Sequence, residues 1–174
     1  LEEIAAVVDA IAARGVPSSR VAICLDTAHL WGVGYRIAAP SEVDRVVTEF
    51  DRLIGLDRLA MIHLNDSRSE LGSRTDRHQH IGAGSIGAEG IRALLTHPRL
   101  AGAAYYLETP GMDEGYDAVN AERVHDLLAG RPLADLPPQA LNLPGSRSRT
   151  HPAAEEDSHD DPVPGSGRRG GTPR

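Results

Sequence analysis

Apolar positions along this chain follow two rhythms. Leu1, Ile4, Ala5, Val8 and Ile11 recur at helical spacing until Gly15 and Pro17 interrupt them. Val43, Val46, Val47, Phe50, Leu53 and Ile54 repeat that spacing after Pro40 and Ser41, which predicts a second helix capped by Ser41 and stopped by Gly55. Ala88–Leu95 and Tyr116–Leu128 read as two more helices, the last ending at Gly130. Between the helices stand short unbroken apolar runs: VAICL (21–25), LAMIHL (59–64) and AAYYL (103–107). Runs of this kind suit strands buried on both faces. A polar, glycine-rich loop is expected from Asn65 to about Ile86.

The resulting order is αβαβαβα. That alternation predicts an α/β fold with a parallel sheet and helices packed outside it, all three strands pointing the same way. After Gly130 the pattern stops. Residues 131–174 are rich in Pro, Gly, Ser, Arg and acids, and the expectation is a disordered tail in which His151 and His159 are solvated.

Composition narrows the class further. A chain of 174 residues suits about one domain. Aromatics make up 3%, so the core must rest on Ala, Val, Leu and Ile. The formal charge of −7 argues against a generic polyanion-binding surface, while leaving room for a local basic or metal-bearing site. The lone Cys24 excludes a disulfide framework and suits a reducing cytosol; it reads as a buried, inert thiol. No apolar run approaches the ~18 residues of a membrane span, and no signal peptide is visible. The chain does not begin with Met and opens inside a helical pattern, so an N-terminal truncation is expected.

The strand ends carry the chemistry. VAICL runs into Asp26, with His29 one helical turn beyond; LAMI runs into His63; AAYYL runs into Glu108. In parallel α/β folds the C-terminal strand ends form the active face, so Asp26, His63 and Glu108 should converge. Taken singly, each has a bland explanation: a helix cap, a core histidine, a paired buried charge. Three such residues at three equivalent positions favour a metal site. In the long loop Asp76 and His78 stand two apart and would share a side if extended, and His80 repeats the spacing. Carboxylate and imidazole donors without cysteine suit Zn²⁺, Mn²⁺ or Fe²⁺. The Asp–His pair needs a further ligand, for which His29 is a candidate.

Gly82, Gly84 and Gly87 match G-x-G-x-x-G, but RTDRHQH precedes them and cannot be the buried strand that a dinucleotide loop requires. The glycines are expected to turn the backbone away from a metal-binding loop.

Taken together, ICLDTAH (23–29), MIHLND (61–66), GSRTDRHQHIGAG (72–84) and LET (107–109) resemble the endonuclease IV family of apurinic/apyrimidinic endonucleases, and the resemblance covers residues 1–130. It implies part of a (β/α)₈ TIM barrel, about its last three strands with their helices, followed by the tail of 131–174. It implies a zinc-dependent DNA repair hydrolase that cuts the phosphodiester 5′ to abasic sites in double-stranded DNA, leaves a 3′-hydroxyl and cleans blocked 3′ ends. The nucleophile implied is a metal-activated water, not a side chain. Three zincs per full-length chain are expected, with Mn²⁺ or Fe²⁺ as alternatives. His29, Asp76 and His78 resemble a complete ligand set, and Asp26, His63 and Glu108 a partial one. Arg74 and Arg77 flank the metal loop and are candidate phosphate contacts. A cytoplasmic monomer with no membrane partner is implied, and the truncated chain alone is expected to be inactive. The rival reading is a metal-dependent sugar isomerase or epimerase of the xylose isomerase-like group, which shares the barrel.

Overall fold

A computed structural model describes residues 1–142. Among the described residues five α-helices accompany a parallel sheet: α1 (Glu2–Ala12), α2 (Thr27–Gly32), α3 (Pro40–Leu53), α4 (Gly87–Thr96) and α5 (Tyr116–Leu128). The sheet contains β1 (Ile23–Asp26), β2 (Leu59–His63) and β5 (Ala104–Tyr106), in the order β1-β2-β5. Both pairings are parallel. A two-residue antiparallel ladder joins β3 (Asp66–Ser67) to β4 (His78–Gln79).

The register positions the site. Asp26 is the Cα partner of His63, and His63 that of Tyr106. Glu108 stands two residues past the end of the third strand. The expected convergence of the three strand ends follows from this alignment of parallel strands.

The core is aliphatic, as the scarcity of aromatics requires. Val43, Val46, Val47 and Phe50 form the buried face of α3 and pack with Leu25, Ile62, Ile91 and Leu94. Apolar residues three and four apart share one helical face, so the sequence pattern and the buried stripe coincide. Among the described residues no helix is long and apolar enough to cross a membrane.

Five details depart from the sequence reading. First, α3 begins two residues earlier than expected. Ala39 is its N-cap and Pro40 its first residue, so Ser41 is inside the helix and does not cap it. Proline suits that place because its fixed φ is helical and it lacks an N–H that would go unpaired there. Glu42 reaches back instead, accepting from Ala38 N–H at 3.1 Å. Second, the six-residue α2 is too short to leave an apolar period. Third, the loop from Asn65 to Ile86 contains the β3–β4 ladder, whose residues are polar yet largely buried. Fourth, residues 131–142 lie against the domain. Ala140 is fully buried, and Leu133 packs on the core. The Arg123 guanidinium donates to the carbonyls of Ile81 and Ala134, both at 2.6 Å, fastening this stretch to α5. Three prolines interrupt any helical or strand pattern in it, but two apolar anchors and satisfied carbonyls hold it. The remainder of the expected tail, with His151 and His159, lies outside the described residues. Fifth, Cys24 is exposed rather than buried, because side chains alternate across β1 and its neighbour Leu25 takes the face that packs on the core.

Candidate metal centre

Asp26 ends β1 and serves two roles at once. Its Oδ1 accepts from the His29 backbone N–H at 2.9 Å, capping α2 and orienting the turn that presents the His29 imidazole. Its Oδ2 faces two imidazoles, with His63 Nδ1 at 3.8 Å and His78 Nε2 at 3.7 Å. The helix-cap and ligand readings of this residue are therefore compatible, one on each oxygen.

The remaining residues gather around that carboxylate. His63 Nδ1 lies 3.0 Å from Glu108 Oε2. Across the site, Asp76 spans two imidazoles: Oδ2 is 3.2 Å from His29 Nε2 and Oδ1 is 3.1 Å from His78 Nε2. Donor atoms fall into two compact groups, Asp26–His63–Glu108 and Asp26–His29–His78, the atoms within each lying within 4.8 Å of one another. The second group differs from the expected His29–Asp76–His78 set by bringing Asp26 alongside both histidines. Asp26 thus stands between the two groups.

Whether a cation fits can be tested at His78. Its Nδ1 lies 2.7 Å from the Glu108 carbonyl oxygen. A carbonyl only accepts, so Nδ1 carries the proton and a neutral ring leaves a lone pair on Nε2. That Nε2 is shielded from solvent and has no hydrogen-bond partner. It points among carboxylate oxygens, which when ionised also only accept. Acceptors converging with no proton among them are the donor set of a cation, and a buried polar atom left unpaired otherwise costs roughly 1–3 kcal/mol. A ring fixed through its other nitrogen to a carbonyl is the usual disposition of a metal-binding histidine.

The loop carrying Asp76 and His78 is docked on α2. Trp31 Nε1–H donates to the Ser69 carbonyl at 3.0 Å, and the Gly72 and Arg74 N–H groups donate to Trp31 and Gly32 carbonyls at 3.0 and 2.9 Å. Arg74 adopts φ 56°, a left-handed conformation uncommon for a non-glycine residue. Arg74 and Arg77 are both exposed, on either side of Asp76.

His80 does not join the centre. It is fully buried, with Nε2 2.9 Å from the Ala140 carbonyl and Nδ1 accepting from Asn120 Nδ2 at 2.9 Å. Burial lowers its pKa, with the Arg123 and Arg68 charges adding to the effect against the hydrogen bonds from these two partners. It is a core histidine satisfied on both nitrogens.

The glycine motif also finds its place. Asp66, fully buried, accepts from the backbone N–H groups of Ser67 (2.8 Å), Gly84 (2.9 Å), Ile86 (2.9 Å) and Gly87 (3.1 Å). Burial raises its pKa, opposed by these four bonds. The loop is an anion cradle at the start of α4, filled by the protein's own carboxylate. Gly84 is required by close approach: a Cβ there would lie 2.4 Å from the Ser67 carbonyl oxygen and 2.5 Å from Asp66 Oδ1. Gly87 is required by its φ of 75°.

Sequence reasoning missed Asn65, Asp66 and Thr27, each essentially inaccessible to solvent. The signal was present in the Asn65–Asp66 pair directly after an apolar run, since polar residues held there must be hydrogen-bonded.

A sequence model of the family described as xylose isomerase-like TIM barrels matches residues 1–129. The chain is similar to a probable endonuclease 4 of Clostridium beijerinckii, 50% identical over 99 residues that cover 57% of this chain and 35% of that protein. A probable endonuclease 4 of Geobacter sulfurreducens is 44% identical over 131 residues, covering 75% and 43% respectively. The crystal structure of endonuclease IV from Thermus thermophilus superposes with a TM-score of 0.56 at 40% identity, covering 63% of this chain and 39% of that one. The chain thus spans about two-fifths of the length of the relatives it matches.

Proposed function

The chain belongs to the xylose isomerase-like TIM-barrel family, and from that premise we propose that the protein containing it is a metal-dependent DNA repair endonuclease. Its substrate is double-stranded DNA with abasic sites or blocked 3′ ends. It hydrolyses the phosphodiester 5′ to the lesion and leaves a 3′-hydroxyl. Similarity to endonuclease 4 proteins supports the nuclease reading over sugar isomerisation.

The observation that carries the proposal is the buried His78 Nε2, which makes no hydrogen bond yet is held 3.1 Å from Asp76 Oδ1 and 3.7 Å from Asp26 Oδ2 by the Nδ1 bond to Glu108. Asp26, His63 and Glu108 would hold one cation, and His29, Asp76 and His78, beside Asp26, another. Zn²⁺ suits this nitrogen and oxygen donor set, with Mn²⁺ or Fe²⁺ as substitutes. When bound, the cations supply an activated water and offset charge on the phosphate.

The chain's own residues do the rest. Asp26 Oδ1 fixes the first turn of α2, so its Oδ2 is left for the centre. The Glu108 carbonyl fixes the His78 ring. Arg74 and Arg77, exposed on either side of Asp76, would contact the DNA backbone, and such contacts position a duplex without reading its sequence. No side chain need act as nucleophile. Three strands do not close a barrel, so the activity is assigned to the protein with its remaining strands, and the 174-residue chain alone is expected to be inactive. A cytoplasmic monomer fits this role.

The test is to incubate the full-length protein with abasic-site duplex and, separately, with ketose sugars, with zinc and with chelator. Nicking that yields a 3′-hydroxyl and is lost on chelation is the expected result. Isomerisation without nicking would overturn the proposal.

A further inference from the structure

Asn65 follows β2 by two residues and is completely buried. Its side-chain amide touches both sides of the metal centre. Nδ2 donates to Asp26 Oδ2 at 2.9 Å, and Oδ1 accepts from the Glu108 backbone N–H at 2.9 Å. The amide orientation is forced. The reverse would put its oxygen against a carboxylate and its NH₂ against an N–H donor.

The backbone of Asn65 is held just as firmly. Its N–H donates to Thr27 Oγ1 at 2.8 Å, and its carbonyl accepts from the same hydroxyl at 2.6 Å. Thr27 is the first residue of α2, directly after Asp26. The ends of β1 and β2 are thereby clamped together, and the amide extends the clamp to the end of β5.

The connections continue to the ligands. The oxygen that Asn65 holds, Asp26 Oδ2, is the one facing His63 and His78. The peptide whose N–H Asn65 receives belongs to Glu108, whose carboxylate faces His63 and whose carbonyl fixes the His78 ring. One amide therefore sets Asp26 and Glu108 directly, and His78 through Glu108.

We propose that Asn65 is a positioning residue for both ligand groups, holding Asp26 Oδ2 and the Glu108 peptide at the spacing that lets the two groups bind cations together. This rests on the metal-centre reading above. Asn65 itself offers no atom to the cation, because its oxygen is committed to Glu108 N–H and its nitrogen is a donor.

The test compares Zn²⁺ affinity and stoichiometry, by chelator competition and metal analysis, in the full chain and in Asn65→Leu, which keeps the branched heavy-atom skeleton but makes neither bond. Losing a residue that orients metal ligands typically costs roughly 10–100-fold in affinity, and a loss of that size with a folded metal-free form is expected. Phe50→Ala, a core truncation outside this network, reports what destabilisation alone does to affinity. If Asn65→Leu does not fold by circular dichroism, Asn65→Ser, too short to span both partners, is read in the same way. Wild-type affinity in a folded Asn65 variant, or an equal loss in Phe50→Ala, overturns the positioning role. A wild-type chain that takes up no zinc overturns the metal-centre reading itself, a result distinct from the others.

Discussion

His78 is tied to Glu108 by a 2.7 Å contact between Nδ1 and the carbonyl oxygen, so the two residues form one unit with two outputs. The ring presents Nε2 toward Asp76 and Asp26, while the Glu108 side chain turns to His63. The metal groups are coupled through this peptide. His78→Ala is expected to remove a ligand from one group and loosen the other. In the full-length protein, cleavage of abasic duplex should fall by roughly 100-fold or more, in the upper range seen when metal sites lose a supporting partner. Metal analysis should show a loss of bound cation in parallel. Activity lost with full metal occupancy would place His78 outside the coordination set.

Asp66 accepts four backbone N–H groups in a site closed to water. Asp66→Ala leaves those donors unpaired, at about 1–3 kcal/mol for each that water does not reach. The variant should unfold at markedly lower denaturant, or not fold at all. Gly84→Ala tests the same cradle from the other side. Its Cβ would meet the Ser67 carbonyl oxygen at 2.4 Å, so the loop must shift. Overpacking of this kind costs about 1–3 kcal/mol. Urea titration measures both, and a Gly84→Ala variant as stable as wild type would show that the loop moves freely.

The sequence made the strand-end carboxylates and histidine legible because parallel strands end on one face, and β1, β2 and β5 obey that rule with Asp26 and His63 as register partners. The docking of the metal loop was not legible. It depends on Trp31 Nε1–H meeting the Ser69 carbonyl and on a two-residue ladder, neither of which has a period. His80 shows the limit of spacing arguments. It continues the Asp76–His78 interval, yet the chain turns inward after β4 and Asn120 takes its Nδ1. Only contacts distant in sequence distinguish it from His78. The stretch 131–142 is similar, since its anchors Leu133 and Ala140 are too sparse to register in composition.

Phe50 is the largest of the fully buried side chains, at 1% exposure. In a core with few aromatics nothing of similar volume stands ready to refill the space. Phe50→Ala should cost about 3–5 kcal/mol, read as a drop in denaturation midpoint at unchanged slope. A cost under about 1 kcal/mol would mean that α3 collapses onto the sheet after truncation.

Burial raises the Tyr105 phenol to about 12. Its hydroxyl donates to the Leu94 carbonyl at 3.1 Å, joining β5 to α4. An acid whose folded pKa lies above its unfolded value of about 10 stabilises the fold fully below pH ~10. That contribution is lost as pH rises from about 10 to about 12, because the unfolded chain releases the proton first. Thermal melts across this window should show the decline, and Tyr105→Phe should flatten it. An unchanged slope in Tyr105→Phe would assign the alkaline loss to other groups.

Chelation separates a metal centre from a set of ion pairs. Without a cation, the same side chains can pair as imidazolium and carboxylate, but His29 and Asp76 are 58% and 63% exposed, and pairs so open to water contribute about 0–1 kcal/mol. A cation bound only by the folded chain acts through mass action instead. At roughly 100 times its dissociation constant it adds about 2.7 kcal/mol per site. For a domain of about 150–250 residues that raises Tm by roughly 5–10 °C per site, and by less per site in the longer full-length protein. Zinc added to chelator-stripped full-length protein should produce this shift, and His78→Ala should lose most of it. The increment should also survive high salt, because bound cations are screened far less than exposed pairs. A Tm that ignores zinc and falls with salt would identify the cluster as ion pairs, and Asp26 would then keep its roles as the cap of α2 and the acceptor for Asn65.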